Sequence, residues 1–161
     1  MSKEVIKIKE SKKVDTKGVD GKLNGFVLEV LSEDDGFAEG LKGQVYLTVA
    51  GARVQKGYHI HALATYHVSC IKGKMKSTVY YSKNEKKEIE MGDGNFKVIK
   101  YPPGCAHLIT NIGDEDAYVI IYRDIPWDPE VKEQLDIAPE DIETEEAWKK
   151  IKEFNKSFKD E

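Results

Sequence analysis

From Leu23 to Tyr122 the chain is a succession of short apolar runs broken by turn residues, with almost no helical periodicity. Such a pattern folds as an all-β sandwich or barrel. Runs over 26–31 and 44–49 flank an acidic, glycine-rich loop over 32–43. The β-branched and aromatic runs 66–71 and 74–81 meet at Lys72-Gly73, which predicts a hairpin. Further strands are predicted over 88–91, 96–101, 106–110 and 117–123, separated by Gly92-Asp93-Gly94-Asn95, by Pro102-Pro103-Gly104 and by the polar turn 111–116. That inventory suits a small jelly roll. At 161 residues the chain is long enough for one such core and too short for two ordinary domains.

Beyond Trp127 the pattern changes. Thr144-Glu145-Glu146 offers an N-cap and two acids where the helix dipole favours them. Trp148, Ile151, Asn155 and Phe158 then recur at helical spacing with Phe154 beside them, giving one apolar face. The chain is therefore divided into a β domain over 1–130 and a C-terminal extension over 131–161, whose amphipathic helix is expected to pack on the barrel or on a second subunit. The net charge of −4 arises from 25 basic and 29 acidic residues that are interspersed, so no basic field exists to engage a nucleic acid. Apolar runs such as 118–122 are too short for a membrane span, and 1–13 lacks the apolar core of a signal peptide; a cytoplasmic protein is expected. Cys70 and Cys105 are too few for a disulfide framework and are read as buried small residues.

All four histidines, His59, His61, His67 and His107, fall in two short segments. Side chains alternate along a strand, so His59 and His61 share a face and Ile60 points the other way. A third imidazole, His107, comes from a separate strand. Two chemistries are open to such a set: binding a divalent transition metal, or general base catalysis by groups that titrate near neutral pH. The facing of His67, beyond a bend, does not follow from counting.

Gly57-Tyr58-His59-Ile60-His61, Tyr66 and Gly73 resemble the first cupin motif, with Tyr66 where metal-binding cupins carry Glu. Pro102-Pro103-Gly104-Cys105-Ala106-His107-Leu108-Ile109-Thr110-Asn111 resembles the second, PxGxxHxxxN, at every position. The implied fold is a cupin jelly-roll barrel with a C-terminal α-helix. The stretch from Gly25 to about Pro129 also resembles the dTDP-4-dehydrorhamnose 3,5-epimerase superfamily, through Gln44-Val45-Tyr46, Lys56-Gly57-Tyr58-His59, 68–73 and Pro103-Gly104-Cys105-Ala106-His107.

That resemblance implies proton abstraction next to the ketone of a nucleotide-linked 4-keto-6-deoxy sugar, with His59 as base and no cofactor. His61 and His107 would polarise the ketone or relay a proton, and Tyr66 or Tyr122 would return the proton. Lys56, at a position where the family has Arg, and Arg53 would hold the diphosphate, with Gln44 and Tyr46 as further substrate contacts. The segment that carries a catalytic Tyr in the family reads Ile125-Pro126-Trp127-Asp128-Pro129-Glu130 here, and the family's base-orienting Asp has no evident counterpart. The HxH pair resembles dTDP-sugar 3,4-ketoisomerases as well. A metal-dependent cupin with His59, His61 and His107 as ligands, and a non-catalytic sugar-binding cupin, are the readings from other classes. The resemblance further implies a homodimer, with Trp148 or Phe158 at the contact.

Overall fold

The computed structural model describes residues 6–159. The first five residues of the amino-terminal stretch and the last two of the C-terminal extension lie outside the described residues. Eleven strands form two antiparallel sheets. The strands are β1 Lys13–Lys17, β2 Leu23–Ser32, β3 Gln44–Ala50, β4 Gln55–His61, β5 Tyr66–Lys72, β6 Lys74–Ser82, β7 Glu85–Gly92, β8 Ile99–Tyr101, β9 Ala106–Asn111, β10 Ala117–Arg123 and β11 Gln134–Asp136. One sheet runs β1-β2-β3-β10-β5-β8 and the other β11-β4-β9-β6-β7. The helix α1 covers Glu145–Ser157, capped by the Thr144 hydroxyl, which accepts from the Ala147 amide. No helix among the described residues is long and apolar enough to cross a membrane.

Two apolar clusters hold the sheets. Val68, Met75, Val79, Met91, Val119 and Ile121 fill the space between them. On the outer face of the five-stranded sheet, Tyr58, Ile60 and Leu108 pack against Ile142, Trp148 and Ile151. The apolar stripe of α1 is therefore satisfied by its own barrel: Trp148 is 5% exposed and Phe158 stacks edge-on against Phe154. Cys70 and Cys105 are buried free thiols.

The hairpin expected around Lys72-Gly73 does not form. β5 and β6 belong to different sheets, and Gly73, at φ +87°, turns the corner between them. A corner and a hairpin draw on the same residue, so the local sequence reads alike for both. The expected strand over 96–101 is ordered as sheet only at Ile99–Tyr101, whereas β7 begins at Glu85, earlier than expected.

β4 carries the most consequential irregularity. Its pairing with β9 slips between Gly57, opposite Leu108, and His59, opposite His107. This bulge reverses the alternation of facing. Tyr58 and Ile60 thereby pack outward under α1, while Lys56 turns inward with His59 and His61. Gly57 adopts φ +125°, and a Cβ there would meet the His107 carbonyl oxygen at 2.5 Å. Lys56 is 7% exposed, and its Nζ donates to Thr16 Oγ1 at 2.8 Å, Thr48 Oγ1 at 3.0 Å and the Phe26 carbonyl at 3.5 Å. One ammonium thus staples β4 to β1, β2 and β3. Its burial lowers the Lys56 pKa to about 8, from an ordinary value near 10.5.

Between those two values the unfolded chain holds a proton that the folded chain has released, so stability contributed by this group rises with pH. Lys56 is expected to add up to about 3 kcal/mol as pH climbs from 8 to 10. Urea unfolding of wild type and Lys56→Met at pH 7 and pH 9.5 checks this: the variant should lose that part of the pH dependence. Gly57→Ala is expected to cost more than about 2 kcal/mol in the same measurement, from positive φ together with the backbone clash.

Candidate functional site

A cavity of about 600 Å³ opens between the sheets, lined by His59, His61, Tyr66 and His107 together with Gln44, Tyr46 and Lys56. Seven of the nine residues expected at the site therefore meet there. Two local devices deliver the three histidines. The bulge at Gly57 sets the facing of His59 and His61. His107 follows the turn at Pro102-Pro103-Gly104, where Gly104 at φ +85° donates its amide to the His61 carbonyl at 2.7 Å and its carbonyl accepts from Asn155 of α1. Asn111, which closes the second motif, is a structural pin. Its side-chain amide donates to the carbonyls of Ala50, Gly51 and Glu115, and its oxygen accepts from the Gly113 amide.

Behind the two β4 histidines stand carboxylates from the C-terminal segment. Asp136 Oδ1 lies 2.6 Å from His59 Nδ1, and Glu133 Oε1 lies 3.2 Å from His61 Nδ1. Register places them: β11 pairs with β4 so that Asp136 faces His59. Burial works to raise the Asp136 pKa, but the bond from His59 and the Gln134 amide outweigh it and hold the carboxyl below its ordinary value. For Glu133 the same burial is outweighed by His61, the Leu63 amide and Arg123, whose Nη2 donates to Oε1 at 2.7 Å. An ionised carboxylate only accepts, so Nδ1 carries a proton in both imidazoles.

His107 is held differently. Four rings pack together: Tyr101 on His107 at 4.5 Å, His107 beside His61 at 5.4 Å, and His61 on Tyr66 at 4.2 Å between centroids, with Tyr66 and His107 5.8 Å apart. His107 Nδ1 is buried with no hydrogen-bond partner. Burial and the neighbouring imidazoles push its pKa well below the ordinary value, and burial likewise lowers His61 despite Glu133. Both rings are neutral at pH 7. An orphaned N–H is costly, so the His107 proton belongs on Nε2. Burial also pushes the Tyr66 phenol well above its usual range and Tyr46 up to about 12. These hydroxyls stay protonated.

Two expected residues lie elsewhere. Arg53 sits in the turn between β3 and β4, 62% exposed, and pairs with Asp114 at 2.7 Å. Tyr122 faces outward from β10, because Arg123 takes the inward position; its hydroxyl donates to the Lys42 carbonyl and its ring stacks on His67. His67 is thus on the outer face too. Asp136, Glu133 and Arg123 are the residues the sequence reading missed. The alternation in Gln134-Leu135-Asp136-Ile137 is the signal available for the first of them.

The metal alternative requires three convergent donors. The ring centroids of His59, His61 and His107 lie 5.4–6.3 Å from one another. Among the described residues no group of three or more His, Cys, Asp or Glu side chains is arranged to hold a metal ion.

No curated protein matches the chain in sequence. Among solved structures, the capsular polysaccharide assembling protein CapF from Staphylococcus aureus aligns over 77% of this chain with TM-score 0.64 and 20% identity. The match covers 34% of CapF, so the chain spans about a third of that protein's length. A dTDP sugar isomerase from Desulfovibrio desulfuricans G20 aligns over 80% of this chain and 81% of its own, with TM-score 0.56 and 20% identity. A mutant of Bacillus subtilis oxalate decarboxylase aligns over 80% of this chain and 30% of its own, with TM-score 0.61 and 15% identity. These likenesses establish the cupin fold. Residues 25–135 match the model of the polysaccharide biosynthesis C-terminal domain, and the chain belongs to that cupin-like family.

Proposed function

We propose that the chain is a sugar-nucleotide isomerase that moves a proton next to the ketone of a nucleotide-linked 4-keto-6-deoxyhexose, as an epimerase. The observation that carries this reading is the His59–Asp136 contact at 2.6 Å, in a cavity whose other two imidazoles are neutral. His59 Nε2 takes the proton from carbon, and Asp136 stabilises the imidazolium that forms. Charge then develops on the ketone oxygen, where His107 Nε2–H donates to it. His61 Nε2 accepts from a sugar hydroxyl. Tyr66, with Tyr46 beside it, returns a proton from the opposite face; Tyr122, outside the cavity, has no part.

Cavity charge supports an anionic substrate. The chain carries −4 overall, yet Lys12, Lys17 and Lys56 line the cavity against Glu29 and Asp136, while the charge of Arg123 is met by Glu133. Family membership and the two neighbours named for capsular polysaccharide assembly and dTDP-sugar isomerisation support the same substrate class. A 3,4-ketoisomerase would use the same base.

A second reading is a divalent-metal cupin. It is favoured by the carboxylates behind His59 and His61, since ligating histidines are commonly oriented in this way. Tyr66, standing where metal-binding cupins carry Glu, counts against it.

Incubation with dTDP-4-keto-6-deoxyglucose in D2O, followed by NMR, is expected to put deuterium on carbon. Labelling at C3 and C5 means double epimerisation, labelling at C3 alone means single epimerisation, and a shifted carbonyl means ketoisomerisation. No exchange and no product across several nucleotide sugars would overturn the enzymatic reading in favour of a binding module. In the same assay His59→Asn should lower exchange by about 10²- to 10⁴-fold, and Asp136→Asn by about 10- to 100-fold. Elemental analysis of purified protein is expected to find no stoichiometric transition metal; one that disappears in His59→Ala and His61→Ala would replace the metal-free mechanism.

A further inference from the structure

The apolar stripe of α1 contains one polar residue. Ala147, Trp148 and Ile151 are buried against the barrel, and Asn155, one turn beyond Ile151, falls on the same face. Its side-chain amide does not turn to solvent. Nδ2 donates to the Gly104 carbonyl at 3.0 Å, while Oδ1 is buried and finds no donor among the described residues. A buried acceptor left unmet costs at least as much as one neutral hydrogen bond returns. Leucine would suit both the helix and its stripe better. Stability therefore does not account for an asparagine here.

The amide closes on the turn that feeds the site. Pro102-Pro103-Gly104 carries the chain from β8 in one sheet to β9 in the other, so it sets the separation of Tyr101 and His107, whose rings lie 4.5 Å apart. Gly104 is gripped on both sides: its amide donates to the His61 carbonyl at 2.7 Å, and its carbonyl accepts from Asn155. A Cβ on Gly104 would lie 3.1 Å from Asn155 Nδ2, so the space where a side chain would stand is the seat of the amide. His107 needs this backing, because its Nδ1 has no hydrogen-bond partner and neighbouring rings hold the imidazole. We propose that Asn155 is a positioning residue: through Gly104, α1 fixes the place of His107 and of the end of β4 at His61. The helix lies outside the stretch that matches the family. The consequence for chemistry rests on the reading of His107 as donor to the ketone oxygen; the brace itself does not.

Asn155→Leu and Asn155→Asp separate position from stability. The leucine fills the stripe, and the ionised aspartate keeps the shape but has no proton to donate. Ring signals of the four histidines, followed by carbon–proton NMR of the full chain, read the brace without catalysis. In both variants the His107 and His61 signals should move, while that of His67, on the outer face of the six-stranded sheet, stays in place. The melting temperature of Asn155→Leu should equal or exceed that of wild type. Turnover in the D2O exchange assay should fall about tenfold in both variants with KM little changed, as expected for a donor that is displaced. Lys152→Gln, on the exposed face of α1, should leave every reading as in wild type. Unmoved His107 signals in Asn155→Leu would overturn the brace, and a sharply lower melting temperature would make Asn155 a structural pin instead. Normal turnover with moved signals would overturn its positioning role. If wild type itself shows no exchange, the nucleotide-sugar reading fails, and the ring signals alone decide the brace.

Discussion

The Glu133 carboxylate is the point at which the two sheets and the C-terminal segment are tied into one site. It accepts from Arg123 of β10 in one sheet, from His61 of β4 in the other, and from the Leu63 amide just past β4. Arg123 and Glu133 are 3% and 8% exposed at their side chains. Removing one member of such a pair leaves a buried charge uncompensated, at a cost of about 3–5 kcal/mol. The orientation of His61, and through it the group of rings that includes His107 and Tyr66, depends on this anion.

The packing of these rings divides labour among the histidines. His61 is held by the Tyr66 ring and by Glu133, and His107 by the Tyr101 ring, so both imidazoles are braced by buried neighbours. His59 is more open, with its side chain 36% exposed, and Asp136 and Gln134 orient it from its Nδ1 side. Groups that stabilise developing charge work best when they do not move, whereas a base must follow the proton it takes. The fold separates the two requirements by placing them on different supports.

The barrel and its histidines were legible because their signals are local. Alternation placed His59 and His61 on one face, and Pro102-Pro103-Gly104 announced the turn before His107. What was not legible depended on register between distant segments. Asp136 meets His59 only because the three-residue strand β11 pairs with β4, and a strand that short has little pattern of its own. Tyr122 was misplaced since both faces of β10 are apolar: Ala117, Val119 and Ile121 point inward and Tyr118, Ile120 and Tyr122 outward, so its sequence does not tell the faces apart. Arg53 was assigned to the diphosphate together with Lys56 through the family resemblance, but it sits in a turn outside the cavity. β1, with the polar sequence Lys-Val-Asp-Thr-Lys, has no apolar run to mark it as a strand.

Both carboxylates behind the histidines follow β1 to β10 in the chain. During synthesis, the arginine, the imidazoles and the barrel that surrounds them leave the ribosome before the anions that compensate them. A nascent chain extended only as far as β10 would have Arg123 without its counter-ion and the outer face of the five-stranded sheet without α1. The segment from Glu133 to α1 therefore acts as a closing clasp, and the histidine site is complete only once that clasp has been translated and seated.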